Sequence, residues 1–108
     1  MTARTKRRAD DGGQPLRIDG EMTIYSAAAL AKSVVTAVTD PSREPSLDLS
    51  QVTDIDTAGL QILLMARKLA RARGGLALID PNPRVEALLR LCRLEDMIAS
   101  RPRRESAA

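Results

Sequence analysis

A chain of 108 residues has room for one hydrophobic core and not for two. With no Phe, no Trp and a single Tyr, Tyr25, that core must be aliphatic, and stacking of bases on aromatic platforms is nearly excluded. The net charge of +3 sits at the ends: residues 1–13 hold four basic and two acidic side chains and residues 99–108 three and one, so the span between is slightly acidic and lacks the positive excess that would hold the phosphates of a nucleic acid.

Residues 1–13 are polar, charged and closed by Gly12-Gly13, the composition of a disordered basic arm. Leu16 to Asp19 alternates apolar and polar and predicts a strand, ended by Gly20-Glu21. Met22 to Tyr25 fits either a short strand pairing back or an extended loop. Ser26 is placed to cap a helix over about 27–39, where Ala27, Leu30, Val34 and Val38 form an apolar stripe. Asp40-Pro41 stops it, and residues 42–45 predict a surface turn.

Ser46 to about Ser50 predicts the second strand, with Leu47 and Leu49 on one face. It leads through an acidic loop into the longest helix, about 58–73. Asp56 or Thr57 can accept a hydrogen bond from the first turn, and Gly59 leaves the backbone open to close approach. Arg67, Lys68, Arg71 and Arg73 suit the negative end of that helix and offer either a solvated face or a basic stripe for a partner. Gly74 or Gly75 supplies a left-handed stop. Leu76 to Ile79 predicts a buried strand, and Asn82-Pro83 opens a helix over about 83–92, followed by a short helical turn through Met97. Cys92 falls in register with Val85, Leu88 and Leu89 and is expected to be a small core residue rather than a reactive thiol. Residues 99–108 form a basic tail.

A strand, helix, strand succession of these lengths implies parallel strands joined by a right-handed crossover, hence an α/β fold with one small sheet and three main helices over residues 14–98. The chain begins without the apolar run of a signal peptide, and no apolar stretch approaches the ~20 residues of a membrane span, so a cytoplasmic protein without membrane insertion is expected.

Chemistry is hard to place on this chain. The lack of His removes the commonest general base, the Ser-His-Asp arrangement and ordinary His-containing metal sites. Neither phosphate-cradling glycine pattern is present. Asp54 and Asp56 stand two apart, which on an extended segment would aim both carboxylates the same way and admit a magnesium-dependent phosphotransfer site; the further acidic cluster and late basic residue such a site needs are not in place. No enzyme activity, cofactor or metal is expected.

Leu47-Asp48-Leu49-Ser50, then Val52, then Ile55-Asp56-Thr57-Ala58-Gly59-Leu60, with Gly20-Glu21 upstream and Gly74-Gly75-Leu76 downstream, resembles the STAS domain family, the fold of bacterial anti-sigma factor antagonists. The resemblance spans about residues 15–98 and implies a small mixed β-sheet packed with three to four α-helices. It also implies a non-enzymatic regulatory protein that docks an anti-sigma factor or GHKL-type kinase around this helix N-terminus, with Asp54, Asp56, Thr57, Ala58, Gly59 and Gln61 at the interface. The family's phosphoacceptor Ser falls on Ala58, which has no hydroxyl; Thr57 is the adjacent candidate acceptor, or a plain helix cap. The Asp-Thr-Ala-Gly-Leu run is also similar to the STAS subunit that docks on the ATPase of bacterial phospholipid ABC transporters, and Gly20 to Tyr25 to STAS proteins of chemotaxis-type kinase systems. The family's strand ahead of Leu16 and its last strand and helix have no counterpart in this pattern, so an open sheet edge is expected, available to a homodimer or a partner.

Overall fold

The computed structural model describes residues 4–6 and 15–98. The basic arm outside 4–6 and the basic tail at 99–108 therefore lie outside the described residues. Four strands form one sheet in the order β1 (Arg4–Lys6), β2 (Leu16–Met22), β3 (Ser46–Ile55), β4 (Ala77–Ile79). β1 runs antiparallel to β2, whereas β2, β3 and β4 are mutually parallel. Three helices, α1 (Ala27–Thr39), α2 (Thr57–Ala70) and α3 (Pro83–Leu91), complete the mixed α/β architecture.

Parallel strands cannot be joined by a tight hairpin, so α1 and α2 serve as the crossovers from β2 to β3 and from β3 to β4. The two helices pack against each other. Their inward stripes are Leu30, Val34, Ala37 and Val38 on α1 and Gly59, Ile62, Leu63, Ala66 and Ala70 on α2. These meet Leu16, Ile18 and Met22 of β2 and Leu47, Leu49 and Val52 of β3 in one aliphatic core, which Val85 and Leu89 of α3 join. Each fully buried Leu or Ile contributes ~1.5–3 kcal/mol relative to exposure, so this single cluster supplies most of the favourable free energy.

Several elements depart from the sequence reading. Arg4–Lys6 form an edge strand where an arm was expected, registered as Arg4 opposite Asp19 and Lys6 opposite Arg17. This fills the place ahead of Leu16, so the edge of the sheet on that side is the short β1 and not β2. β2 does not stop at Gly20-Glu21 but continues to Met22, with register shifts at Arg17/Asp19 and Gly20/Glu21 that absorb Gly20 at φ 95. β3 runs to Ile55, five residues beyond the predicted end, because Gln51 to Ile55 pair with Asp19 to Met22. The turn at 42–45 is not wholly superficial: Arg43 and Pro45 are buried.

The helix ends are built from backbone. After α2 a 3-10 turn, Arg71–Arg73, leads to Gly74 at φ 97 and Gly75 at φ 104. Gly75 N–H donates to the Ala70 carbonyl at 3.0 Å and Gly74 N–H to Arg71 at 3.4 Å, the crossed pair of a Schellman stop. α3 closes the same way, with Leu94 N–H on Leu89 at 2.8 Å, Arg93 N–H on Arg90 at 3.0 Å and Arg93 itself at φ 60. The helix thus ends one residue before Cys92. Cys92 is exposed, contrary to the expected core position. The 3-10 turn Glu95–Met97 matches the expected helical turn, and Ile98 bridges Leu78 beside β4.

Candidate functional site

The corner between β3 and α2 is organised by one carboxylate. Asp56 is the N-cap of α2, with φ −120 and ψ −169, and its Oδ1 accepts the Gly59 N–H at 3.1 Å. Its Oδ2 accepts the Ile24 N–H from the loop after β2 at 3.0 Å, and its own N–H donates to the Met22 carbonyl at 3.2 Å. Backbone donors at Ile24 and then Gly59 therefore hold the Asp56 carboxyl below the ordinary carboxylate range, against a smaller opposing effect of desolvation. The sequence left the cap open between Asp56 and Thr57; the structure assigns it to Asp56. Thr57 is instead the first residue of α2 and is exposed.

Gly59 has a different task from the one expected. A Cβ built on it would lie 2.1 Å from the Met22 carbonyl oxygen, 2.8 Å from Met22 Cβ and 2.9 Å from Ile55 Cγ1. The close approach faces inward, where α2 crosses the end of β2, and Gly59 is buried. It sets the corner's shape by letting α2 approach the end of β2.

Asp54 lies one step back on β3, with Oδ1 accepting the Ile55 N–H at 2.9 Å and standing 3.6 Å from Arg84 Nε of α3. Asn82 clips the same region. Its Oδ1 caps α3 at Val85 N–H, 2.9 Å away, and its Nδ2 donates to the Val52 carbonyl. Both Asp54 and Asp56 are thus engaged by backbone N–H groups, and among the described residues no cluster of three or more His, Cys, Asp or Glu is arranged to hold a metal. The donor set does not fit a magnesium-dependent phosphotransfer centre, since both Asp56 oxygens are committed to N–H donors. What remains exposed at the corner is Thr57 and Gln61, with Ala58 half-buried between them and the buried glycine.

The expected basic stripe is divided. Lys68 and Arg71 face solvent, but Arg73 turns back into the fold, where Nη1 donates to the Val38 carbonyl at 2.7 Å and Nη2 to the Arg43 carbonyl at 2.6 Å. It ties the end of α2 to the end of α1. Sequence reasoning missed the loop of Thr23 to Ser26 as part of the site. Its signal was Tyr25, the one aromatic residue of the chain, with Ile24 beside it.

No described helix is long and apolar enough to cross a membrane. No curated protein matches the chain. Among solved structures, the fold matches an anti-sigma factor antagonist from Mycobacterium paratuberculosis at TM-score 0.71 and 22% identity, covering 90% of this chain and 81% of that one. It matches a Thermotoga maritima protein described as a candidate anti-sigma factor antagonist at TM-score 0.68 and 26% identity, covering 89% and 82%. The unphosphorylated form of the anti-sigma factor antagonist SpoIIAA matches at TM-score 0.70 and 15% identity, covering 98% and 93%. The family model described as "Mlab, STAS domain" matches residues 5–99. That match takes in β1, the whole α/β body and the Asp56 corner, and the chain belongs to the STAS domain family.

Proposed function

We propose that the chain is a non-enzymatic regulatory module of a bacterial partner-switching or kinase signalling system. In this reading it works in the cytoplasm as an anti-sigma factor antagonist does, docking an anti-sigma factor or GHKL-type kinase at the N-terminus of α2. The observation that carries it is the corner itself: a helix start fixed from three sides by Asp56, with Thr57 and Gln61 exposed and Ala58 beside them, on a body built around one aliphatic core. A docking surface gains from such rigidity because little ordering entropy is lost on binding.

The place of the usual phosphoacceptor is Ala58, so a switch at that atom is absent and Thr57 is the hydroxyl available. A phosphate on Thr57 would add about −1.5 to −2 charge at the positive end of α2, which the helix tolerates and a closely docked apolar surface does not. The lack of a hydroxyl on Ala58 favours a second reading, a STAS accessory subunit held on the ATPase of a phospholipid ABC transporter, where no phosphorylation switch is needed. Affinity purification of the tagged chain from its source cells separates them. Stoichiometric recovery of a GHKL-type kinase supports the first reading and of an ABC ATPase the second; recovery of neither, with the chain folded and abundant, overturns both.

A further inference from the structure

Near the Asp56 corner the chain exposes apolar surface that its core does not use. Ile24 is 66% exposed and Tyr25 86% exposed, side by side in the loop between β2 and α1. This loop is braced. Ser26 is buried, its Oγ accepting the Thr23 N–H at 3.1 Å and donating to the Glu21 carbonyl at 2.8 Å, while Ser26 N–H donates to the Thr23 carbonyl at 2.9 Å. Ile24 N–H is held by the same Asp56 carboxylate that caps α2. The two side chains are therefore presented by fixed backbone, continuous with Thr57 and Gln61. Tyr combines a large apolar area with few rotatable bonds, the property that makes it frequent among residues dominating binding energy.

Charge decides what kind of surface would cover them. Glu21 and Asp54 are paired across β2 and β3, Asp56 lies between loop and helix, and among the described residues Arg84 meets them at Asp54. The rim is acidic, so an anionic membrane surface is repelled and a groove with basic edges is attracted. We propose that Ile24 and Tyr25 are the anchor by which this chain engages a protein partner, inserting into an apolar slot rimmed by Lys or Arg; the proposal rests on the docking role assigned above to the α2 corner.

A benzophenone amino acid introduced singly at positions 25, 61 and 71 tests it by photocrosslinking in cells. Position 71 is the control, about 20 Å along α2 and its following turn from Thr57. The expected result is one protein captured from both 25 and 61 and not from 71, with the peptide joined to position 25 apolar and bearing Lys or Arg. Against that purified protein, Tyr25→Ala should weaken affinity about 10- to 100-fold and Tyr25→Phe leave it nearly unchanged. Capture from 61 alone, or unchanged affinity of Tyr25→Ala, overturns the anchor and leaves the docking corner standing. Capture from neither position overturns both. Capture at 25 of a second copy of this chain, or pelleting of the protein with phosphatidylcholine–phosphatidylglycerol vesicles that Tyr25→Ala abolishes, overturns the basic-rimmed protein slot as the occupant.

Discussion

Asp56 joins three segments that the chain brings together from a distance, the end of β2, the loop at Ile24 and the first turn of α2. Because its folded carboxyl titrates below its unfolded value, its contribution to stability is fully present above the ordinary carboxylate pKa of about 4 and is lost as pH falls through the depressed folded value. Asp56→Asn should accordingly be less stable than the parent at neutral pH, with the gap narrowing below about pH 4. Urea denaturation across a pH series checks this; a gap that persists unchanged into acid would mean that the charge is not what holds the corner. Gly59 makes the second case at this scale. The sequence marks Gly59 as a place where the backbone is open to close approach, but not which surface comes close, since the Met22 carbonyl is 37 residues away and is placed by tertiary packing. Gly59→Ala should lose about 1–3 kcal/mol or more, because the clash is with backbone and cannot be relieved by a rotamer change. A wild-type urea midpoint in Gly59→Ala would contradict the inward contact.

At the scale of elements, helices were more legible than strands. The i, i+4 spacing of Leu30, Val34 and Val38 and the breaks at Pro41 and Gly74 mark α1 and α2 locally, and the structure agrees within a few residues. Strand limits depend on pairing. Val52-Thr53-Asp54-Ile55 reads as part of an acidic loop because of its Asp, although Val, Thr and Ile favour strands, and it extends β3 because β2 continues alongside it. Arg4-Thr5-Lys6 has no apolar face to announce it, and a short charged edge strand is how sheets avoid unwanted pairing. Cys92 was misplaced because periodicity continues a helix that the left-handed Arg93 ends. Asn82 shows how such junctions are secured, since one amide both caps α3 and bonds β3 at Val52. Asn82→Ala should cost about 2–4 kcal/mol, the sum of a lost cap and an unpartnered carbonyl, read as a lower urea midpoint with an unchanged slope. No change in midpoint would show that α3 docks through Val85 and Leu89 alone.

For the whole molecule, the division of labour is between an aliphatic core and one rigid acidic corner, with the excess of positive charge at the ends of the chain. That arrangement separates stability from binding at Thr57, which is exposed and contributes no cap. Thr57→Glu places a carboxylate at the positive end of α2, where the dipole favours it by about 0.3–1 kcal/mol, so the urea midpoint should hold or rise. Packed against the apolar slot of the partner, the same charge would have to be desolvated, and affinity for the recovered partner should fall about tenfold. Phosphorylation itself can be assigned by intact mass after incubation with a recovered GHKL-type kinase. If Thr57 is the acceptor, the parent chain gains one phosphoryl group and Thr57→Val gains none. If the switch has been lost with the Ser, the parent stays unmodified and Ala58→Ser acquires the group, because Ala58 lies in the same first turn with its side chain half-buried beside the exposed Thr57. A parent chain and an Ala58→Ser variant that both stay unmodified while binding the kinase tightly would mark the corner as a docking surface without a switch.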